Sequence, residues 1–225
     1  MIDDKAVIIV SGGIDSTTLL YEFLDEGLIP YALTFLYGQK HEREIESARK
    51  ICGALGVSHT VVDLTSLKGL LAGSALTDAS VEIPQVPETE EHYGTLKTTI
   101  VPNRNAIFLA IAVGYAVSMG VRRVCFGAHF SDRGVYPDCR REFVRAFESA
   151  ERVAVDLDEL RIEAPFVDKD KKDIVKLGGS LGVPYEDTWS CYRGGALHCG
   201  ACSSCRERKR AFVEAEVLDP THYEV

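Results

Sequence analysis

The apolar run Ala6-Val7-Ile8-Ile9-Val10 leads directly into Ser11-Gly12-Gly13-Ile14-Asp15-Ser16-Thr17-Thr18 and then into an amphipathic helical pattern. A strand, a glycine turn and a helix start in that order commit this end of the chain to a βα unit, with the helix N-terminus facing the space beyond the strand. Gly12 and Gly13 carry no Cβ, so both are free to take positive φ and let backbone N–H groups approach an anion. Asp15, Ser16 and Thr17 fall in the first helical turn, where unpaired N–H groups and the positive end of the dipole favour a phosphate. Ser11, Ser16, Thr17 and Thr18 add hydroxyl donors, and Asp15 is suited to hold magnesium or to orient the group that attacks ATP. The same residues serve in ordinary turns and N-caps, and the flanking strand and helix weigh against that plainer reading. Neither a Walker A ending nor a GxGxxG turn is present.

Apolar strands then alternate with helical patterns, the signature of βαβ units and a parallel sheet. The predicted strands are residues 6–10, 31–36, 59–63, 123–127 and 161–164. A helix is expected over 16–26, with Leu19, Leu20, Phe23 and Leu24 on one face and Gly27 as its stop; a second spans 41–55, where Cys52 sits on the apolar face as a core residue. The apolar run 106–119 covers 14 residues, short of the roughly 20 a bilayer requires. It reads as a core helix buried nearly all round. Residues 72–104, with Pro84, Pro87 and the acids Glu88 to Glu91, read as a long loop or lid.

In an open parallel sheet, ligands lie beyond the carboxyl ends of the strands, so the residues that follow each strand are candidates for a site. After the second strand come Tyr37, Gln39 and His41; before the apolar helix, Arg104 and Asn105; after the fourth strand, Asp132, Tyr136 and Asp138. Arg104 is suited to meet a carboxylate or phosphate bidentately, Asn105 to cap, and Asp138 either to bind a base or to cap the helix near Arg140. The polar groups beside aromatics suit a flat heterocycle.

With 25 basic and 34 acidic side chains the formal charge is −9, which argues against a surface that grips a nucleic-acid backbone. The length of 225 residues suits one large core with a small appendage, divided here as 1–185 and 186–225. Seven cysteines, an odd number clustered towards one end, do not read as a disulfide framework, and no signal peptide precedes them; a reducing, cytoplasmic setting is expected. Cys191, Cys199, Cys202 and Cys205 form a C-x7-C-x2-C-x2-C pattern that matches the closed thiolate shell of structural zinc. Iron–sulfur ligation uses similar spacing, and His198 is a neighbouring alternative ligand. Arg193, Arg206, Arg208, Lys209 and Arg210 either offset the charged cluster or form a solvated helix face.

The glycine loop resembles the Ser-Gly-Gly-x-Asp-Ser loop of the N-type ATP pyrophosphatases, the PP-loop family. From that loop through Tyr37-Gly38-Gln39-Lys40-His41, Pro102-Asn103-Arg104-Asn105, Tyr136-Pro137-Asp138-Cys139-Arg140 and Thr188-Trp189-Ser190-Cys191-Tyr192 to the cysteines, the whole chain resembles the 7-cyano-7-deazaguanine synthase family. The resemblance implies an α/β fold of the adenine-nucleotide alpha-hydrolase type, a Rossmann-like parallel sheet flanked by helices with a small four-cysteine zinc segment. It implies ATP-loop residues Val10, Ser11, Gly12, Gly13, Ile14, Asp15, Ser16, Thr17, Thr18, Leu19 and Leu20, with Asp15 and Ser16 as catalytic groups. It also implies one zinc on Cys191, Cys199, Cys202 and Cys205, and Mg²⁺ with ATP. Asn103 stands where that family usually has glycine, and Leu19 where cysteine is frequent. The implied reaction joins 7-carboxy-7-deazaguanine and ammonia at the expense of ATP to give a nitrile. The expected partners are those small molecules, with no nucleic acid, no membrane, and a homodimer as the assembly in view. A PP-loop tRNA-thiolating enzyme with a metal or iron–sulfur cluster, and a non-catalytic zinc-ribbon module, are the alternatives. Net charge weighs against the first and the glycine loop against the second.

Overall fold

Each predicted strand segment becomes a strand of one parallel sheet. A computed structural model describes residues 4–40, 42–71, 73–78, 80–84 and 97–225. The strands are β1 (Lys5–Ile9), β2 (Ile29–Leu36), β3 (Ser58–Asp63), β4 (Arg123–Cys125) and β5 (Arg161–Glu163), in spatial order β3-β2-β1-β4-β5. The helices are α1 (Ile14–Asp25), α2 (Arg43–Leu55), α3 (Arg104–Ser118), α4 (Arg141–Val155), α5 (Lys171–Ser180) and α6 (Ser203–Ala215). In β1, Ala6, Val7 and Ile8 are all fully buried, because a central parallel strand is covered on both faces. Val7 joins a core with Leu109 of α3 and Val144 of α4, while Ala6 and Ile8 join one with Leu20 of α1, Ile51 of α2, Val175 of α5 and Phe212 of α6. The result is a helix–sheet–helix sandwich.

The chain first builds outward from β1 to β2 and β3, then returns to the other side of β1 with β4 and β5. The strand order therefore reverses at β1 and β4, where a crevice opens beyond their carboxyl ends.

Three sequence expectations change. Helix α3 is not buried all round: Phe108, Leu109, Ala112, Val113 and Ala116 face the core, but Val117 is exposed, because the helix covers only one face of the sheet. The stretch 72–104 is not wholly a free loop, since Ser74, Ala75, Leu76 and Thr77 are buried and the Lys40 N–H donates to the Leu76 carbonyl at 2.9 Å. Its residues 72, 79 and 85–96, Pro87 and Glu88 to Glu91 among them, lie outside the described residues. Arg208 is neither solvated nor paired with the thiols. It is fully buried, bonds Asp219 at 3.2 Å, the Thr188 hydroxyl at 2.7 Å and the Tyr185 carbonyl at 2.9 Å, and so stitches α6 to the segment before the cysteines. Cys52 is buried in the core as expected, its thiol pushed up to about 11 by burial.

Candidate active site

The turn between β1 and α1 owes its shape to one glycine. Gly12 has φ +86°, and a Cβ there would lie 2.2 Å from the Glu44 carbonyl oxygen and 2.8 Å from the Ala48 nitrogen. The absence of a side chain lets the loop press against α2. Gly13 differs from expectation: it is extended, at φ −81° and ψ 172°, and keeps ordinary contact distances. The Ser16 hydroxyl accepts the Ser11 N–H at 3.0 Å and lies 3.1 Å from the Ser11 hydroxyl, closing the turn over the helix start. Ser11, Gly13, Ile14, Asp15 and Ser16 line a cavity of about 230 Å³ at the crevice. Val10, Thr17, Thr18, Leu19 and Leu20 are fully buried behind it, the leucines in the core beneath α1.

Opposite the loop, Gly127 follows β4 with its Cβ position 3.1 Å from the Ser16 nitrogen, so the two strand ends approach closely. The chain beyond Gly127 brings His129 and Asp132 to the same cavity. Lys171, the first residue of α5, donates to Asp15 at 2.5 Å and lies 3.4 Å from His129 Nε2 and 3.8 Å from Glu207. Burial pushes the Asp15 carboxyl up, but Lys171 and His129 outweigh it and hold the group below its ordinary value. For Asp132 burial prevails over the attraction of His129 and raises its carboxyl. Among the described residues, Asp15 Oδ1 is buried with no hydrogen-bond partner. A charged oxygen left free in a cavity fits an incoming cation or donor.

The other end of the cavity is aromatic. Tyr37, Phe108, Phe126, Tyr136 and Tyr192 surround Arg104 and Asn105. The Phe108 ring stacks on Phe35 at 4.2 Å, and the Tyr136 hydroxyl lies 2.8 Å from that of Thr99, which fixes both rings. Asn103, at φ +57°, makes the left-handed turn into α3 that asparagine tolerates. Asn105 does not cap that helix. Its N–H donates to Asp138 Oδ2 at 3.0 Å and its side-chain amide to Cys139 Sγ at 3.2 Å. Asp138 therefore caps α3 rather than the helix near Arg140, and it does not line the cavity. Gln39 also lies outside the lining. Its amide accepts the Tyr37 N–H at 2.9 Å and donates to the Phe35 carbonyl at 3.2 Å, shaping the turn that presents Tyr37. His41 lies outside the described residues.

The segment carrying the cysteines forms the third wall. The four Sγ atoms of Cys191, Cys199, Cys202 and Cys205 are buried and lie within 4.8 Å of one another. A tetrahedral ion with metal–sulfur bonds of about 2.3 Å sets its sulfurs roughly 3.8 Å apart, so small inward shifts complete the shell. Cys191 Sγ accepts N–H groups from Arg193 and Cys199 at 3.4 and 3.3 Å, which favours the thiolate. His198 is not a fifth candidate. Its Nε2 accepts the Ser190 N–H at 3.1 Å, and burial pushes its pKa down to about 4. The same segment supplies Trp189, Ser190, Tyr192, Ser204 and Glu207 to the cavity, and the Trp189 N–H donates to the Gly12 carbonyl at 2.9 Å. The cysteine shell and the glycine loop are thus mechanically joined.

Lys171, Glu207, Ser204 and Glu44 line the cavity without having been singled out in the sequence. Lys171 follows β5, so the rule that placed the other candidates reaches it too, but it is hidden in the charged run Asp168 to Asp173. Glu207 and Ser204 arrive from the far end of the chain and leave no local signal.

The parallel sheet, its reversal point and the glycine loop define an adenine-nucleotide alpha-hydrolase-type fold of the PP-loop class. Solved structures agree on that fold: an NMN synthetase from Francisella tularensis at TM-score 0.53 (15% identity, 96% of this chain and 79% of that one), and a 4-thiouridine synthetase with RNA and bound ATP at TM-score 0.50 (19% identity, 94% and 50%). A family model described as queuosine biosynthesis protein QueC matches residues 5–216, and the chain belongs to that family. It is 51% identical to the 7-cyano-7-deazaguanine synthase of Archaeoglobus fulgidus over 96% of this chain and 89% of the relative. It is 46% identical to that of Caldicellulosiruptor saccharolyticus over 98% and 96%.

Proposed function

We propose that this chain is an ATP-dependent ligase that converts 7-carboxy-7-deazaguanine and ammonia to 7-cyano-7-deazaguanine, releasing AMP and diphosphate. The observation that carries the reading is that a phosphate-type loop and an aromatic recess containing an arginine open into one cavity. A triphosphate and a flat carboxylated ring have a place to meet there.

A carboxylate resists nucleophiles because it is anionic, so its oxygen first attacks the α phosphorus of ATP and diphosphate leaves. Ammonia then adds to the acyl carbon, AMP departs and a proton is lost, giving the amide. In a second round the amide oxygen attacks the α phosphorus of another ATP, again expelling diphosphate. Loss of AMP and of both amide protons leaves the nitrile. Both rounds need the same residues. The first N–H groups of α1 and the Ser11 and Ser16 hydroxyls hold phosphate oxygens, and Lys171 places a positive charge beside them. Asp15, with its free Oδ1, and Asp132 are the carboxylates suited to hold Mg²⁺, which would neutralise charge on the triphosphate. Tyr37, Tyr136 and Tyr192 pack the ring and exclude water.

Zinc on Cys191, Cys199, Cys202 and Cys205 would contribute folding energy and hold the Trp189–Tyr192 wall in place. All seven cysteines are buried and free of disulfides, which fits a reducing, cytoplasmic setting.

Mass spectrometry of products from the acid, ATP and ammonium tests the reading. Two AMP and two diphosphate per nitrile are expected, and the amide supplied alone gives nitrile with one ATP and no ammonia. ADP and phosphate as the main nucleotide products refute adenylation; an amide left unchanged by enzyme active on the acid refutes the shared site.

A further inference from the structure

Burial works against the Arg104 charge, but Tyr37, Tyr136, Cys139 and Asp138 around it outweigh that cost and hold the guanidinium above its ordinary value. Arg104 is the first residue of α3, a helix of 15 residues with no acidic side chain in its first turn, so its charge sits at the positive end of the helix dipole. Among the described residues no carboxylate lies in ion-pair range of it; Tyr37 supplies a side-chain hydrogen bond, and Asp138, one oxygen of which accepts the Asn105 N–H, attracts it only from beyond that range. A planar fork of five donors without a direct carboxylate partner among the described residues, set in the wall of an aromatic cavity, has donors to offer an incoming anion. The other cation of the cavity, Lys171, is already paired with Asp15 beside the phosphate loop. The two positive charges therefore divide the cavity into a phosphate end and a ring end.

Resting on the reaction proposed above, we infer that Arg104 receives the carboxylate of the acid substrate bidentately and so distinguishes the first substrate from the second. The carboxylate offers two acceptor oxygens to the fork. The amide formed after ammonia addition offers one acceptor and turns an NH₂ donor towards donors. Arg104 thus holds the anionic acid and grips its neutral amide less tightly, although ring and ATP contacts are common to both.

The test compares steady-state kinetics on the acid and on the amide for wild type, Arg104→Gln and Arg104→Lys, with thermal melts of each. For Arg104→Gln, kcat/KM on the acid is expected to fall about 10- to 100-fold, mainly through KM, the range of a lost charge-assisted hydrogen-bond pair. On the amide it should stay within about threefold. Arg104→Lys, which keeps the charge without the fork, should fall between wild type and Arg104→Gln on the acid, and it carries the comparison alone if Arg104→Gln does not fold. Equal losses on the two substrates overturn the inference, because Arg104 then serves the ring or ATP; so does the absence of loss on either. Wild type that adenylates neither substrate refutes the underlying reaction, an outcome visible before any variant is made.

Discussion

Replacing each loop glycine by alanine separates two residues that look alike in the sequence. In Gly12→Ala the new Cβ starts 2.2 Å from the Glu44 carbonyl oxygen, 0.8 Å inside the 3.0 Å that real Cβ contacts respect (3.0 − 2.2), and the neighbouring atoms at 2.8 and 3.0 Å belong to the same helix. Rotating a side chain cannot relieve it, because the two closest atoms are α2 backbone. Left-handed backbone adds about 1–2 kcal/mol for a residue with Cβ, and overpacking adds roughly 1–3 kcal/mol, for a total of about 2–5 kcal/mol. For a chain of this size each kcal/mol moves Tm by roughly 2–4 °C, so Gly12→Ala should melt about 4–20 °C lower. Gly13, at φ −81°, has its nearest neighbours at 3.4 and 3.5 Å, so Gly13→Ala should move Tm by no more than about 2 °C even if it disturbs phosphate binding. Differential scanning calorimetry of both variants at one pH reads the contrast. Equal shifts, or a neutral Gly12→Ala, would show that contact with α2 is not what requires the glycine.

The single tryptophan, Trp189, packs in one cluster with the four cysteines, its ring tilted against that of His198 with centroids 4.2 Å apart, so it reports on the shell without a label. Stripping the metal with a strong chelator should change its fluorescence and lower Tm by at least about 10 °C, in parallel with loss of turnover; full removal of metal with unchanged emission and Tm would refute the scaffold role. Asp219 gives a pH test. Burial pushes its carboxyl up, but Arg208 and the Tyr223 hydroxyl pull it below 3.8, so the ionised group stabilises the fold above that value and the contribution fades as pH falls through the lower folded value. The gap in urea midpoint between wild type and Asp219→Asn should be constant from pH 7 to 5 and narrow below about pH 4. A gap that widens in acid would refute the pairing.

Local chemistry made the glycine loop, the five strand segments and the four-cysteine pattern legible in the sequence. A strand needs a run of apolar residues, a phosphate turn needs glycine beside a helix start, and a thiolate shell needs closely spaced cysteines; all three are written within a few residues. The sequence did not distinguish Gly12 from Gly13, because the demand on Gly12 comes from α2, some thirty residues later. It offered Gln39 to the ligand on the grounds of polarity and left Asp138 between a base and a helix cap, whereas hydrogen bonds to Tyr37 and Asn105 employ them in the frame. It left Arg208 undecided between the charged cluster and a solvated face, because nothing in α6 reveals that Asp219, Thr188 and Tyr185 converge on it. Only the tertiary structure joined Asp15 to Lys171 across 156 positions and placed Glu207 beside them. Such pairs depend on where the sheet reverses at β1 and β4 and on how the cysteine segment folds back over that crevice, and the burial that decides both is shared by residues far apart in the chain.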